Sequence, residues 1–172
     1  MDIVGPLPMV KGYKYVLTMI DRYTRWPEAV SIAGMADKTV VNASYSTWVA
    51  RFCAPATVTT DRASQFETDF FNAITNLVDA QRVRTTAYHP ASNGMIERWH
   101  RSLKSAIMCH ENDSWIDILP TVLLGLRTSI KEDIKTATAE LVYGTYLRLP
   151  GELVIDSARM EGQEVYSRNL RS

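Results

Sequence analysis

Apolar residues early in the chain fall in two short dense runs and then in a helical stripe. Tyr13-Lys14-Tyr15-Val16-Leu17-Thr18-Met19-Ile20 follows the turn residues Gly5-Pro6-Leu7-Pro8 and Lys11-Gly12, is rich in β-branched and aromatic residues, and predicts a strand. A second short strand is expected around Trp26 to Ile32. Asp37 stands where a helix cap belongs, and Val40, Val41, Tyr45, Trp48, Val49 and Phe52 then recur at steps of three and four, so a helix should run to near Ala54-Pro55. Ala56-Thr57-Val58-Thr59-Thr60 is β-prone and delivers Asp61 at its C-terminal end, which is where active sites gather in open α/β sheets.

From Ser64, the positions Phe66, Phe70, Phe71, Ile74, Leu77 and Val78 repeat as a helix, and Arg82 to Thr86 predict another strand. Tyr88 to Gly94 reads as a loop, with Ser92 or Asn93 able to cap the long helix that follows. In that helix Ile96, Trp99, Leu103, Ile107 and Met108 make the buried stripe, while Glu97, Arg101 and Lys104 share a neighbouring face. Trp115 to Arg127 predicts a further helix, with Pro120 near its first turn or at a kink, and Ala137 to Tyr143 a short one before Gly144. Beyond Pro150 the pattern fades. Trp48, Trp99 and Trp115 read as core, and Trp26 is open between core and base stacking.

At 172 residues and 46% hydrophobic, the chain suits one domain with a sizeable core. Ile116 to Leu126, its longest apolar stretch, is broken by Asp117 and Pro120 and falls short of a membrane span, and no basic region with an apolar run opens the chain. A soluble, intracellular protein with no membrane partner is the expectation. Cys53 and Cys109 lack Cys-x-x-Cys or finger spacing, so both are expected as buried free thiols. A net charge of zero argues against a generic nucleic-acid coat, but Arg82, Arg84, Arg98, Arg101 and Lys104 face only Glu97 between residues 82 and 104.

Thirty-five residues separate Asp61 from Glu97. Two carboxylates on different elements, joined by a third, suit a pair of divalent cations in phosphoryl transfer, for which hard oxygen ligands serve better than imidazole or thiolate. By composition either Asp2 or Asp21 can supply the third, and Asp21, at a strand end, can equally start a turn. Arg98, Arg101 and Lys104 are candidates for phosphate contact or an ordinary wet helix face, and Gln65 and Asn93 for substrate contact or helix capping. His89, in His-Pro, reads as a loop residue.

Asp2-Ile3-Val4-Gly5-Pro6-Leu7-Pro8, Asp21-Arg22-Tyr23-Thr24-Arg25-Trp26-Pro27-Glu28-Ala29, Thr60-Asp61-Arg62-Ala63-Ser64-Gln65-Phe66, Thr86-Ala87-Tyr88-His89-Pro90 and Asn93-Gly94-Met95-Ile96-Glu97-Arg98-Trp99-His100-Arg101 together resemble the integrase catalytic core of Ty3/Gypsy-type retrotransposons and retroviruses. The resemblance extends through Leu126-Arg127-Thr128 and Val142-Tyr143-Gly144 to Gly151. It implies an α/β, ribonuclease-H-like fold with a central mixed five-stranded sheet flanked by helices, a catalytic core over 1–151, and a tail of uncertain structure over 152–172.

It further implies a D,D-35-E site of Asp2, Asp61 and Glu97 binding Mg²⁺, with Mn²⁺ as substitute, for 3′-end processing and strand transfer. The implied partners are double-stranded DNA, both retroelement ends and target, and further copies of the chain in a dimer or higher homo-oligomer. The implied location is the host nucleus after a cytoplasmic preintegration stage. Ala63 stands where related integrases usually have glycine, and Asp2 follows only Met1 where the family places residues before it in a central strand, as in a fragment of a Pol polyprotein. A catalytically inactive integrase-derived binding module and a ribonuclease-H-like nuclease are the alternatives.

Overall fold

The computed structural model describes residues 1–60, 81–84, 90–108 and 114–150, with backbone alone for 81–84 and 90–95. Strand β1 (Asp2–Val4) pairs antiparallel with β2 (Tyr15–Ile20), and β2 pairs antiparallel with β3 (Pro27–Ile32). Val16 to Met19 are all buried because both faces of this sheet are covered, so the strand reads in sequence as a nearly continuous apolar run. The two-residue period still sorts the side chains. Val4, Val16 and Ala29 join one core cluster, whereas Leu17, Met19 and Ile32 join another on the opposite face. Gly5 closes β1 at φ +147°, where a Cβ would lie 2.5 Å from Tyr15 Cδ1 and 2.8 Å from the Lys14 carbonyl oxygen, so only glycine fits without a shift.

Strand β4 (Thr57–Thr60) pairs parallel with β5 (Gln81–Arg84). Instead of the expected continuous five-stranded sheet, the described residues form a three-stranded antiparallel ladder and a two-stranded parallel one. A hydrogen bond of 2.8 Å from the Met1 amino group to the Thr59 carbonyl links them and brings β1 beside β4. At three residues, β1 presents few backbone groups on its edge away from β2 for a second ladder.

The helix expected from Asp37 is one run with an underwound middle: α1 (Asp37–Ser44), a π-helical stretch (Tyr45–Val49) and α2 (Ala50–Phe52). Val40 and Val41 bury against Leu17, Met19 and Ile32. The cap is Ala36 and not Asp37, which sits one residue inside, where its charge favours the helix dipole. Cys53 overturns the expectation of a buried thiol: it is exposed, at φ 63° where the chain turns out of α2. Cys109 lies outside the described residues.

On the other face of the sheet, Trp99 and Leu103 of α3 (Pro90–Met108) and Trp115, Leu119, Val122 and Leu123 of α4 (Trp115–Thr128) pack on Val4 and Val16. Pro90 suits the first helical position, since its missing N–H would have no partner there. Ser92 and Asn93 therefore lie within the first turn of α3 and are not its cap, and Met108, at its last position, is 74% exposed where a buried stripe was expected. Pro120 sits inside α4, on its exposed side. A hairpin of β6 (Ile130–Lys131) and β7 (Thr136–Ala137), which the apolar pattern did not signal, leads to α5 (Thr138–Tyr143), ended by Gly144 in a left-handed cap.

Trp115 Nε1–H donates to the Pro8 carbonyl at 2.8 Å and ties α4 to the segment joining β1 and β2. Trp115→Phe keeps most of the ring and strands that carbonyl. It is expected to cost about 1 kcal/mol, read as a lower urea midpoint at unchanged slope.

Candidate active site

Asp2 shares its face of β1 with Val4, two residues on, so its side chain projects toward α3 and away from α1. Asp2 Oδ2 lies 3.6 Å from His100 Nδ1, and Asp2 Oδ1 accepts the Ile3 N–H at 2.7 Å. Thr18, opposite Asp2 in the ladder and fully buried, joins the two: its hydroxyl donates to the Asp2 carbonyl at 2.8 Å and lies 2.9 Å from His100 Nε2. A hydroxyl has one proton, and a carbonyl only accepts. His100 Nε2–H therefore donates to Thr18, and Nδ1 is the nitrogen that faces Asp2.

Burial, reinforced by the positive charges of Lys104 and the N-terminus, lowers the His100 pKa from 6.5 to about 4. The unfolded chain therefore takes up this proton first as pH falls, so the stability contributed by the neutral ring is whole above about pH 6.5 and declines toward pH 4. Between pH 7 and pH 5 the expected loss is at most about 2 kcal/mol, because solvent reaches the ring and the Asp2 carboxylate favours the proton. Urea unfolding at the two pH values measures it, and His100→Gln should flatten the slope.

Glu97 precedes His100 by three residues, and Arg101 and Lys104 follow Glu97 by four and seven, so the four occupy one side of α3. Glu97, Arg101 and Lys104 are exposed. The Asp2–His100 contact thus brings Asp2 to the side of the helix that carries Glu97. Arg98 points about 100° away from Glu97 around the helix axis, and its charge acts on Asp133 in the β6–β7 turn. Asn93 is four residues before Glu97 on the same backbone side. Asp61 directly follows buried Thr60 at the end of β4. Asp61 itself lies outside the described residues, as do Gln65, Ala63, His89, the helix expected from 64 to 78 and the tail from 152. Among the described residues no three His, Cys, Asp or Glu side chains form a cluster fit for a metal.

Asp21, the other candidate for the first carboxylate, is engaged in the turn between β2 and β3. Its Oδ2 accepts the Thr24 N–H at 2.7 Å and the Thr24 hydroxyl at 2.8 Å. Trp26 is core: it is 3% exposed, meets Phe52 and Tyr143 edge-on, and donates from Nε1 to Glu28 Oε1 at 3.0 Å. Trp99 and Trp115 are buried as expected, and Trp48 packs half-buried under the sheet.

The Integrase core domain family model matches residues 1–90. The chain belongs to the integrase core domain family. Among curated relatives, this integrase core is 26% identical over 153 residues to the retrovirus-related Pol polyprotein from transposon 412 of Drosophila melanogaster, covering 87% of this chain and 12% of that one. It is 29% identical over 132 residues to the Gag-Pol polyprotein of feline leukemia virus, covering 74% of this chain and 8% of that one. The chain thus spans a small part of the length of these relatives.

Among solved structures, the catalytic core domain of BIV integrase superposes with a TM-score of 0.65 at 16% identity, over 74% of this chain and 84% of that one. The HTLV-2 integrase catalytic core domain in complex with magnesium, a trimeric form, gives 0.64 at 12% identity, over 76% and 86%. At these identities the likeness shows the fold, that of retroviral integrase cores. Two members of the site region, His100 and Thr18, carried no signal of their own in the sequence. His100 shares the helical spacing of Glu97, but its contact with Thr18 spans 82 residues.

Proposed function

We propose that this integrase core performs the DNA-joining chemistry of integration, 3′-end processing followed by strand transfer, at a site of Asp2, Asp61 and Glu97. The observation that carries the reading is the 3.6 Å approach of Asp2 to His100, on the side of α3 that also bears Glu97, beside the strand that leads into Asp61. The donor chemistry fits hard divalent cations: Asp2 offers carboxylate oxygens with 27% of its side chain accessible, Glu97 is exposed, and the adjoining imidazole is neutral.

Mg²⁺, or Mn²⁺ in its place, held by Asp2, Asp61 and Glu97 would supply activation of the attacking hydroxyl and neutralisation of charge on the leaving oxygen. The chain's own contribution is placement. The ladder of β1 with β2 holds Asp2, and α3 presents Glu97 from a helix anchored by buried Trp99 and Leu103. Arg101 and Lys104, on the Glu97 side of α3, would bind backbone phosphates and orient the DNA, with affinity falling as salt rises. Arg98 would reach phosphate on a different flank, and Asn93 and Gln65 would serve as polar contacts to the DNA. On this reading the partners are retroelement ends and target DNA, the working form is a homo-oligomer, and the work is done in the nucleus after a cytoplasmic stage.

Purified protein incubated with a labelled branched DNA in Mg²⁺ or Mn²⁺ tests the proposal, scoring strand resolution and joining. The expected result is metal-dependent joining that disappears in Asp61→Asn and Glu97→Gln. Joining that survived both changes would sink it. Cleavage without joining would make the protein a nuclease, and salt-sensitive DNA binding without turnover an inactive binding module.

A further inference from the structure

We propose that Asp133 is an internal stand-in for a DNA phosphate: the cations gathered around it, Arg25, Arg98 and Lys131, form a second contact for the DNA backbone on the flank of α3 turned from Glu97, and Asp133 opposes that contact until it is displaced. The inference rests on the proposed function for the identity of the partner. Three separate elements build the cluster. Arg25 comes from the β2–β3 turn, Arg98 from α3, and Lys131 and Asp133 from the β6–β7 hairpin. Arg25 Nε donates to Asp133 Oδ2 at 3.2 Å, and its Nη1 donates to the Arg22 carbonyl in its own turn, which fixes one end of the guanidinium. Partial desolvation raises the Asp133 pKa, but hydrogen bonds from Arg25 and from its own backbone, with the charges of Arg25 and Arg98, outweigh it and hold the carboxyl below its ordinary value. Burial lowers the Lys131 pKa, and the Asp133 charge opposes that. One carboxylate thus answers to a cation from each of three elements, as a backbone phosphate would.

Charge and backbone both favour an anion brought from outside. Arg22 and Lys135 add exposed positive charge to the same two turns, against exposed Glu132 and an Asp21 carboxylate already bound to Thr24. Arg25 and Lys135 stand at φ 63° and 57°, left-handed positions where glycine would avoid a cost of about 1 kcal/mol. What these residues bring is a long cationic side chain and not an easy turn. Asp133 is 56% exposed, and an exposed ion pair contributes little, so exchanging its carboxylate for a phosphate is cheap. The guanidinium fork matches phosphate as well as it matches carboxylate, and the release of counterions from DNA favours the exchange. Arg101 follows Arg98 by three residues and so neighbours it, while sharing the Glu97 side with Lys104. Basic side chains therefore run around α3 from the Glu97 side to Asp133, a track that suits a phosphate backbone.

The test is the anisotropy of a labelled duplex DNA titrated with the full chain in EDTA over a series of salt concentrations. Asp133→Asn should tighten binding roughly two- to fivefold, the worth of an exposed ion pair that no longer has to be given up. Arg25→Gln and Arg98→Gln should each weaken binding and lower the magnitude of the salt slope by about one. With both arginines replaced, the gain from Asp133→Asn should vanish. Glu132→Gln removes an adjacent exposed charge and should give a smaller gain than Asp133→Asn. Arg98 lies on the exposed surface of α3, so its variant serves if Arg25→Gln unsettles the β2–β3 turn. A gain from Asp133→Asn no larger than that from Glu132→Gln, or one that persists without both arginines, overturns the inference and leaves the proposed function standing, since joining in Mg²⁺ tests that separately. An unaltered chain with no salt-sensitive binding to DNA overturns both.

Discussion

Glu97→Gln is expected to leave the fold intact and to slow strand joining by on the order of 10³-fold, about 4 kcal/mol of transition-state stabilisation. The two halves of that expectation have separate causes. Glu97 is exposed on α3 while Trp99 and Leu103 carry the helix's packing, and glutamine has similar length and helix propensity, so stability should change by no more than about 0.5 kcal/mol. What glutamine lacks is the negative charge. A site that gathers cations on carboxylates loses both metal affinity and the placement of the reacting groups when one of them becomes neutral. The measurement pairs a joining rate in Mg²⁺ with a thermal midpoint for the same preparation. A large fall in both would mean that Glu97 supports the structure, contrary to its exposure.

Arg127→Met is expected to give the largest loss of stability of any single change considered, roughly 3–5 kcal/mol. Glu28 is 2% exposed, and its charge is tolerated only because Arg127 Nη2 lies 2.8 Å from Oε2, with Arg51 Nη1 and Trp26 Nε1 at 3.2 and 3.0 Å from Oε1. Arg127 does more than pair: its Nε and Nη2 donate to the Pro27 carbonyl at 3.2 and 3.1 Å, and its guanidinium lies 4.5 Å from the centre of the Trp26 ring. Burial lowers its pKa, yet it remains a cation at neutral pH.

Methionine fills similar volume and leaves Glu28, among the described residues, with Arg51 alone as a charged partner, whose side chain is 57% exposed so that the pairing is weak and screened. Glu28→Gln in the Arg127→Met background removes the stranded charge and should recover part of the loss, since the substituted amide oxygen would still accept from Trp26. Urea unfolding of the two singles and the double closes the cycle. Additive losses would show that Glu28 and Arg127 act independently, and would refute the network.

Periodicity in the sequence was enough for the local elements. The dense run at Tyr13 to Ile20, the β-prone residues before Asp61 and the stripe through Ile96, Trp99 and Leu103 each formed the expected element, because such patterns depend on neighbours within a turn or a pleat. The common side of Glu97, Arg101 and Lys104 was legible for the same reason. Element ends were less so. Ser92 and Asn93 are good capping residues, but α3 starts at Pro90, and Asp37 gave up the cap position to Ala36.

By itself, then, the sequence determined which faces are apolar, where the carboxylates fall and, through its ordered motifs, the integrase family. The tertiary structure decided partnership. Asp2 and Asp21 are equivalent as composition. Only the sheet register turns Asp2 toward α3, while the β2–β3 turn occupies Asp21. Thr18 with His100, and Glu28 with Arg127, are polar residues without periodicity, and their roles exist only when elements 82 and 99 residues apart in the chain are packed together. Local pattern sets the face on which a side chain lies, but the fold alone sets what that face meets.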